Sequence, residues 1–449
     1  MRFKSVCLFL QLFALFLFLT GTARASDEKS DTPEKVSVGG YAFWQFGQIV
    51  QGYDKEAGPI AHQWTNNVLL GLTLRAQPSD RLQINISPEF YLNYPYPQTV
   101  GQANSLRPFG VAYINEADGI FSFGDLDKPL LQASLGMFTF KYNPDGRNFG
   151  DYIFRTGTFP TYIITDFDFP AARLLGLHLS SDPIANLHAD ILLTSEAFMV
   201  PLYDFSLTGI ASYKMFNAIE IGAGIDFARC FPVNNNVTSP TVSINEQQTY
   251  YNSYIEQNGD TGYYSFKGTK VMARASIDPK PFFGSPKSFG PEDLKLYGEI
   301  CWVGIEGYNA QDLPDSGYRA WYNDLNQRTP RMLGFNVPTF KLLDVLAAEV
   351  EYFPSVIPND YTEENKYMSP MPNIAIAGGY SGYNIDDWNK GFWRWSFYAK
   401  KMFVKGFSIT GQAAFDHLRT TFWDGSTNAY ESMIEKGDWH WDLKFGYSF

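Results

Sequence analysis

The sequence predicts an all-β fold, a transmembrane antiparallel up-and-down β-barrel of about sixteen strands. Three observations carry that expectation. Segments of about ten residues alternate apolar and polar side chains. The connections between them alternate between short turns and long loops. After residue 25 no stretch approaches the roughly 18 consecutive apolar residues of a helical span.

Residues 1–25 read as a secretory leader. Arg2 and Lys4 precede the apolar run Val6–Leu19, and Ala23-Arg24-Ala25 supplies a small-x-small cleavage pattern. The run is shorter than the roughly 20 residues of a spanning helix. Cys7 lies too early for a lipoprotein anchor. Losing Arg2, Lys4 and Arg24 takes the formal charge from −12 to −15, an acidic balance that argues against a nucleic-acid partner. Residues 26–35 are expected to form a short N-terminal periplasmic segment before a single barrel domain, 36–449, with no folded plug domain expected ahead of it.

The period of two is sharpest at the C-terminus. Trp439, Trp441, Leu443, Phe445, Tyr447 and Phe449 share one face; Asp438, His440, Asp442, Lys444, Gly446 and Ser448 share the other. In 82–92, Leu82, Ile84, Ile86, Phe90 and Leu92 oppose Gln83, Asn85, Ser87, Glu89 and Tyr91. Segments 218–227 and 407–415 repeat the pattern. So many strands carry charge opposite an apolar face that the polar face is expected inward, solvated by a water-filled lumen.

Strands are expected near 36–51, 64–77, 81–94, 108–123, 130–142, 171–180, 186–196, 205–216, 218–229, 263–277, 293–307, 331–341, 344–353, 391–403, 407–418 and 438–449. Pro78-Ser79-Asp80, Ser181-Asp182-Pro183, Phe216-Asn217-Ala218 and Val404-Lys405-Gly406 are short connections after even strands. The 279–292 connection is long for its place, and 373–379 reads as one more strand, so fourteen or eighteen strands stay open.

The closing strand resembles that of bacterial outer-membrane barrels. In that family a C-terminal aromatic, here Phe449, is read by the barrel-assembly machinery. The layout around 133–170 resembles general porins, in which the loop after strand five folds into the lumen. Asp145, Arg147, Asp151, Arg155, Asp166 and Asp168 would then form a charged constriction. The other reading of 143–170 is an outer loop with ordinary surface ion pairs. What the resemblance implies is an outer-membrane channel of a Gram-negative bacterium, embedded in lipid. It would pass small hydrophilic solutes by diffusion, packing as a homotrimer being a family habit rather than a reading of these residues. Selective uptake of sugars or anions, a barrel enzyme and an adhesin are the alternatives. No Ser/His/Asp arrangement, H-E-x-x-H, C-x-x-C or phosphate loop stands out, so neither catalysis nor a cofactor is expected.

Lumen-facing charges are expected at Glu89, Asp190, Glu220, Asp226, Glu299, Glu349, Glu351 and Asp416, answered by Arg274 and Arg394 among others. The small acidic excess implies a weak cation preference. His178 and His188 point inward on neighbouring strands, joined by a turn at 182–185 and close to Asp190. They read as solvated lumen histidines before a metal pair. Cys230 and Cys301 fall on strands nine and eleven, two spacings of roughly 5 Å apart, which predicts free thiols. Tyr41, Trp44, Trp302, Trp393, Trp395, Trp423, Trp439 and Trp441 read as interface girdles.

Overall fold

The computed structural model describes residues 35–51, 62, 64–93, 109–155, 171–195, 204–231, 241–244, 247–250, 253–263, 268–284, 287–305, 325–353, 392–403, 406–415 and 437–449. Sixteen strands close into one barrel. They are β1 (Lys35–Gln51), β2 (Trp64–Ser79), β3 (Leu82–Asn93), β4 (Phe109–Gly124), β5 (Pro129–Phe140), β6 (Ala172–Ile184), β7 (Leu187–Ser195) and β8 (Phe205–Met215). The second half is β9 (Ile219–Phe231), β10 (Gly268–Ile277), β11 (Leu296–Val303), β12 (Arg331–Asn336), β13 (Val345–Phe353), β14 (Phe392–Met402), β15 (Phe407–Phe415) and β16 (Trp439–Ser448). Two small hairpins, 241–250 and 253–263, lie in the β9–β10 connection.

Each strand pairs antiparallel with its neighbours in sequence, and β1 pairs with β16 to close the ring. Closure gives every strand two partners, so the sheet has no open edge to leave backbone groups unpaired in an apolar medium. At the seam the register runs from Tyr41↔Ser448 to Gln48↔Trp441. Beyond it, Gly40 and Phe449 exchange both main-chain hydrogen bonds, at 3.0 and 2.9 Å.

Burial is inverted relative to a water-soluble barrel. On β3, Ile84, Ile86, Phe90 and Leu92 are exposed, while Asn85, Ser87, Glu89 and Tyr91 are buried. On β16, His440, Asp442 and Lys444 are buried, as is Asp438 just before it, and the aromatic face looks outward. On β9, Ile221, Ile225 and Phe227 are exposed and Asp226 is buried. The alternation forces this choice, because successive side chains must take opposite sides of the wall.

The short connections fall at one end of the barrel, as the sequence implied. At the short-turn end, Phe216 and Asn217 both take the left-handed backbone (φ 53° each), and Ala218 N–H donates to the Met215 carbonyl at 3.0 Å. The β6–β7 turn falls at Ala185-Asn186, not at 182–185. β6 continues to Ile184 through a register shift between Ser181 and Ile184, and Asn186 supplies the left-handed residue (φ 68°). The long 278–295 connection is compatible with a barrel because it folds back as a short 3₁₀ turn, Lys280–Phe283. The extra strand considered at 373–379 lies outside the described residues, as do 1–34 and Trp423.

One girdle assignment is corrected. Tyr41 has lumenal parity and donates to the buried Glu89 carboxylate. Its ring packs over Gly71, where a Cβ would come within 2.4 Å. Trp44 and Trp393 are exposed on the outer face as expected.

Candidate functional site

The connection after β5 turns into the barrel. Its first part, 141–155, ends in a single helical turn, α1 (Tyr152–Arg155), and runs along the inner wall of β9–β13. Asn143, Asp145, Asn148, Phe149, Asp151, Tyr152, Ile153 and Phe154 are all buried. Phe149, Tyr152, Ile153 and Phe154 pack with Phe138, Phe140, Leu174, Met272, Tyr297, Cys301 and Met332 in one apolar cluster. Apolar side chains thus fill this part of the lumen beside the inner wall.

Two wall carboxylates hold the segment. Glu349 on β13 accepts from the backbone N–H groups of Arg147 (2.6 Å), Asn148 (2.8 Å) and Phe149 (2.9 Å), and from the Tyr297 hydroxyl (2.7 Å). Glu299 on β11 accepts from the Tyr142 hydroxyl (2.6 Å), the Asn143 side-chain amide (2.7 Å) and the N–H groups of Asp151 and Tyr152 (2.9 Å each). Asp151 takes a left-handed φ of 56° in this turn. Tyr152 donates to Glu351 at 2.8 Å, and the Lys270 ammonium donates to the Ile153 carbonyl at 2.8 Å. Backbone amides thus satisfy charges that bulk water would otherwise solvate. Burial, followed by the Glu299 and Asp151 charges, pushes the Tyr142 hydroxyl well above its ordinary value, so it stays a donor.

Ion pairs tie the tip of the segment to the short-turn end. Arg147 meets Glu292 at 2.7 Å, Glu292 meets Lys295 at 2.9 Å, and Lys295 meets Asp145 at 3.2 Å. Burial opposes the Lys295 charge, but Asp145 and Glu292 outweigh it and raise its pKa. Lys141 pairs with Asp151 at 2.5 Å.

Asp145, Arg147 and Asp151 of the expected constriction lie on the inward segment, each paired with a nearby group: Lys295, Glu292 and Lys141. Arg147 has Glu292 beside it, the acids Glu299 and Glu349 face backbone amides and hydroxyls, and Glu351 faces the Tyr152 hydroxyl and Arg394. Arg155 closes α1, whereas Asp166, Asp168 and Asp416 lie outside the described residues. Glu89, Asp190, Asp226, Arg274 and Arg394 are buried on the inner wall. Glu220 is half-buried and pairs with Arg274 at 2.5 Å. Asp226 accepts from Thr208 at 2.8 Å, and Arg394 donates to Glu351 at 3.3 Å.

The sequence reading missed Tyr142, Lys270, Glu292 and Tyr297. Their signal was the apolar content of the loop itself. Phe149, Tyr152, Ile153 and Phe154 would be costly in an outer loop, and the inward face of β11 mixes Glu299 with Tyr297, Cys301 and Val303.

The histidines form a chain. His178 Nε2 lies 2.8 Å from Asp190, and His188 sits between Asp182 (2.8 Å, Nδ1) and Asp190 (3.1 Å, Nε2). Carboxylates only accept, so His188 makes both bonds at once only as the imidazolium. Among the described residues no group of three or more His, Cys, Asp or Glu is arranged to hold a metal ion. Cys230 and Cys301 are not joined in a disulfide, as their strand spacing implied.

No family model and no curated protein matches the sequence. Among solved structures, the chain is similar to a mutant of Rh. blastica porin (TM-score 0.46, 9% identity, covering 92% of this chain and 100% of that one). It is also similar to a Salmonella typhi OmpF complex with daunomycin (TM-score 0.46, 11% identity, covering 93% and 98%).

Proposed function

We propose that this chain is a porin-like channel of a bacterial outer membrane, passing small hydrophilic solutes through a lumen narrowed by the inward segment 141–155. The observation that carries the reading is the inverted barrel with a segment latched inside it by Glu299 and Glu349. An apolar exterior suits lipid, and a polar inner wall suits hydrated solutes. Asp145, Arg147, Asp151 and Arg155 would shape the narrowed path, with a weak cation preference from the acidic inner wall. Residues 1–25 would be removed on export, and Phe449 would serve recognition by the assembly machinery. The reading includes no catalytic step and no cofactor; a homotrimer is compatible with it.

One observation favours a more selective sugar channel as the second reading. Tyr41, Phe43, Tyr91 and Tyr113 cluster on the inner wall, with the Arg173 guanidinium 4.6 Å from the Tyr113 ring and the Lys444 ammonium 4.3 Å from the Phe43 ring. Such rings could stack on a sugar face. Swelling of protein-loaded liposomes in neutral sugars of increasing size separates the two. A diffusion pore gives rates that fall smoothly with size, and a selective channel favours one sugar out of order. No swelling in any sugar would overturn both.

A further inference from the structure

The long β10–β11 connection at the short-turn end places two adjacent carboxylates in different surroundings. Glu292 gives one oxygen to Arg147 on the inward segment (2.7 Å) and the other to Lys295 (2.9 Å), and Lys295 reaches on to Asp145 (3.2 Å). Asp293 serves the rim instead. It accepts from Gly290 N–H (2.8 Å), Thr339 N–H (3.1 Å), Phe340 N–H (3.1 Å) and the Thr339 hydroxyl (3.2 Å). Asp293 so braces the β10–β11 connection against the β12–β13 turn.

A β-bulge sorts the two acids. Leu294 N–H donates to the Asn336 carbonyl at 2.9 Å, and Asn336 N–H donates to the Lys295 carbonyl at 2.8 Å. Two residues on one side thus oppose one on the other. Strict alternation from Glu299, Tyr297 and Lys295 would put Asp293 in the lumen and Glu292 outside it. The extra residue reverses them.

The bulge is held at a cost. Its first position takes a left-handed backbone that ordinarily calls for Gly, yet Leu294 occupies it with φ 68°. Asn336 opposite is fully buried, and neither end of its side-chain amide meets a hydrogen-bond partner among the described residues. A strained leucine and an unpaired buried amide at one bulge ask for a reason beyond closing the wall.

The rest of the connection is tied to the brace. The buried Lys280 donates to the Pro291 carbonyl at 3.0 Å and pairs with Asp278 at 3.0 Å. Asp278 N–H donates to the Ala218 carbonyl of the β8–β9 turn at 2.7 Å. Phe289 stacks on Phe340 with ring centroids 5.3 Å apart. Three short-turn connections so form one unit, and Glu292 carries it into the lumen.

We propose that this unit positions the tip of the inward segment, with Glu292 as the positioning residue, so that the width of the path is set from the rim. The proposal rests on the channel reading for that consequence alone.

The test is a double-mutant cycle read by the labelling of Cys301 with a charged methanethiosulfonate, in a Cys230→Ser background. Cys301 is fully buried in the cluster under α1. Asp293→Asn acts at the rim, and Glu292→Gln cuts the link. Each should speed labelling at least about fivefold, the low end of coupling between sites. Together they should label no faster than Glu292→Gln alone, because the rim then has no route to the segment. Lys280→Met is a second rim variant and should behave as Asp293→Asn does. Unchanged labelling in both rim variants overturns the proposal. So does a double variant whose gain is the product of the single gains, about 25-fold, since independent effects multiply. Labelling is read whether or not the barrel conducts, so either failure leaves the channel reading standing. A folded parent that passes no solute overturns that reading and leaves the coupling intact.

Discussion

Glu349→Gln should loosen the inward segment without dissolving the barrel. The carboxylate takes four hydrogen bonds, two on each oxygen: Arg147 N–H and the Tyr297 hydroxyl on Oε1, Asn148 and Phe149 N–H on Oε2. An amide keeps one acceptor and turns an NH₂ toward the other two donors. Two bonds to a charged group are lost and two buried donors are stranded. At about 1–3 kcal/mol for each stranded donor, the loss is about 2–6 kcal/mol. Since about 1.4 kcal/mol is tenfold, even the low end shifts the latched population by roughly thirtyfold. The barrel's strand pairing does not depend on Glu349's side chain and should survive. Cys301 reports the outcome, because it is fully buried on the inner wall in the cluster under α1. In a Cys230→Ser background, its reaction with a charged methanethiosulfonate should be slow in the parent and at least about tenfold faster in the variant. Equal rates, with the barrel folded in both, would refute the latch.

Three further outcomes follow from the same geometry. Gly334→Val would place a Cβ 2.2 Å from the Tyr297 ring, so Tyr297 must move and release Glu349; Cys301 labelling should again accelerate. Burial alone would raise the Asp293 carboxyl, but hydrogen bonds from Gly290, Thr339 and Phe340 hold it below its usual value. Its stabilisation is therefore present above about pH 4 and fades as pH falls through the lowered pKa. Asp293→Asn should flatten that part of a denaturant-midpoint series against pH, and an unchanged slope would count against the brace. Deleting Phe449 removes two main-chain bonds to Gly40 at the seam, about 1–3 kcal/mol, and a ring that is largely exposed. Assembly should suffer more than the stability of barrels that do form, read as the fraction of heat-modifiable protein in membranes; parental levels would contradict this.

Much of the wall was legible because one physical rule governs it. A side chain's parity decides its side, and segments such as 82–92 and 438–449 leave only one arrangement open. The β8–β9 connection was legible too, since Asn217 falls in the expected Phe216-Asn217-Ala218 turn and takes the left-handed backbone. The position of the β6–β7 turn was not, because a register shift after Ser181 lets a Pro-containing stretch stay in the strand. Tyr41 was misplaced because a Tyr beside a Trp reads as girdle, and only the register shows its ring lying over Gly71 and reaching Glu89. The inward segment was half legible. Its charges pointed to a lumenal role, but their partners sit about 150 to 200 residues away on β11 and β13. Nothing local distinguishes Glu299 or Glu349, which bind backbone amides, from a carboxylate facing water.

The most direct test is single-channel conductance in planar bilayers, comparing the parent protein with Glu299→Gln/Glu349→Gln. The account predicts discrete conductance steps from the parent and larger or more variable steps from the double variant, as the inward segment leaves its wall. Folded parent protein that gives no steps, or a double variant whose steps match the parent's, would contradict it.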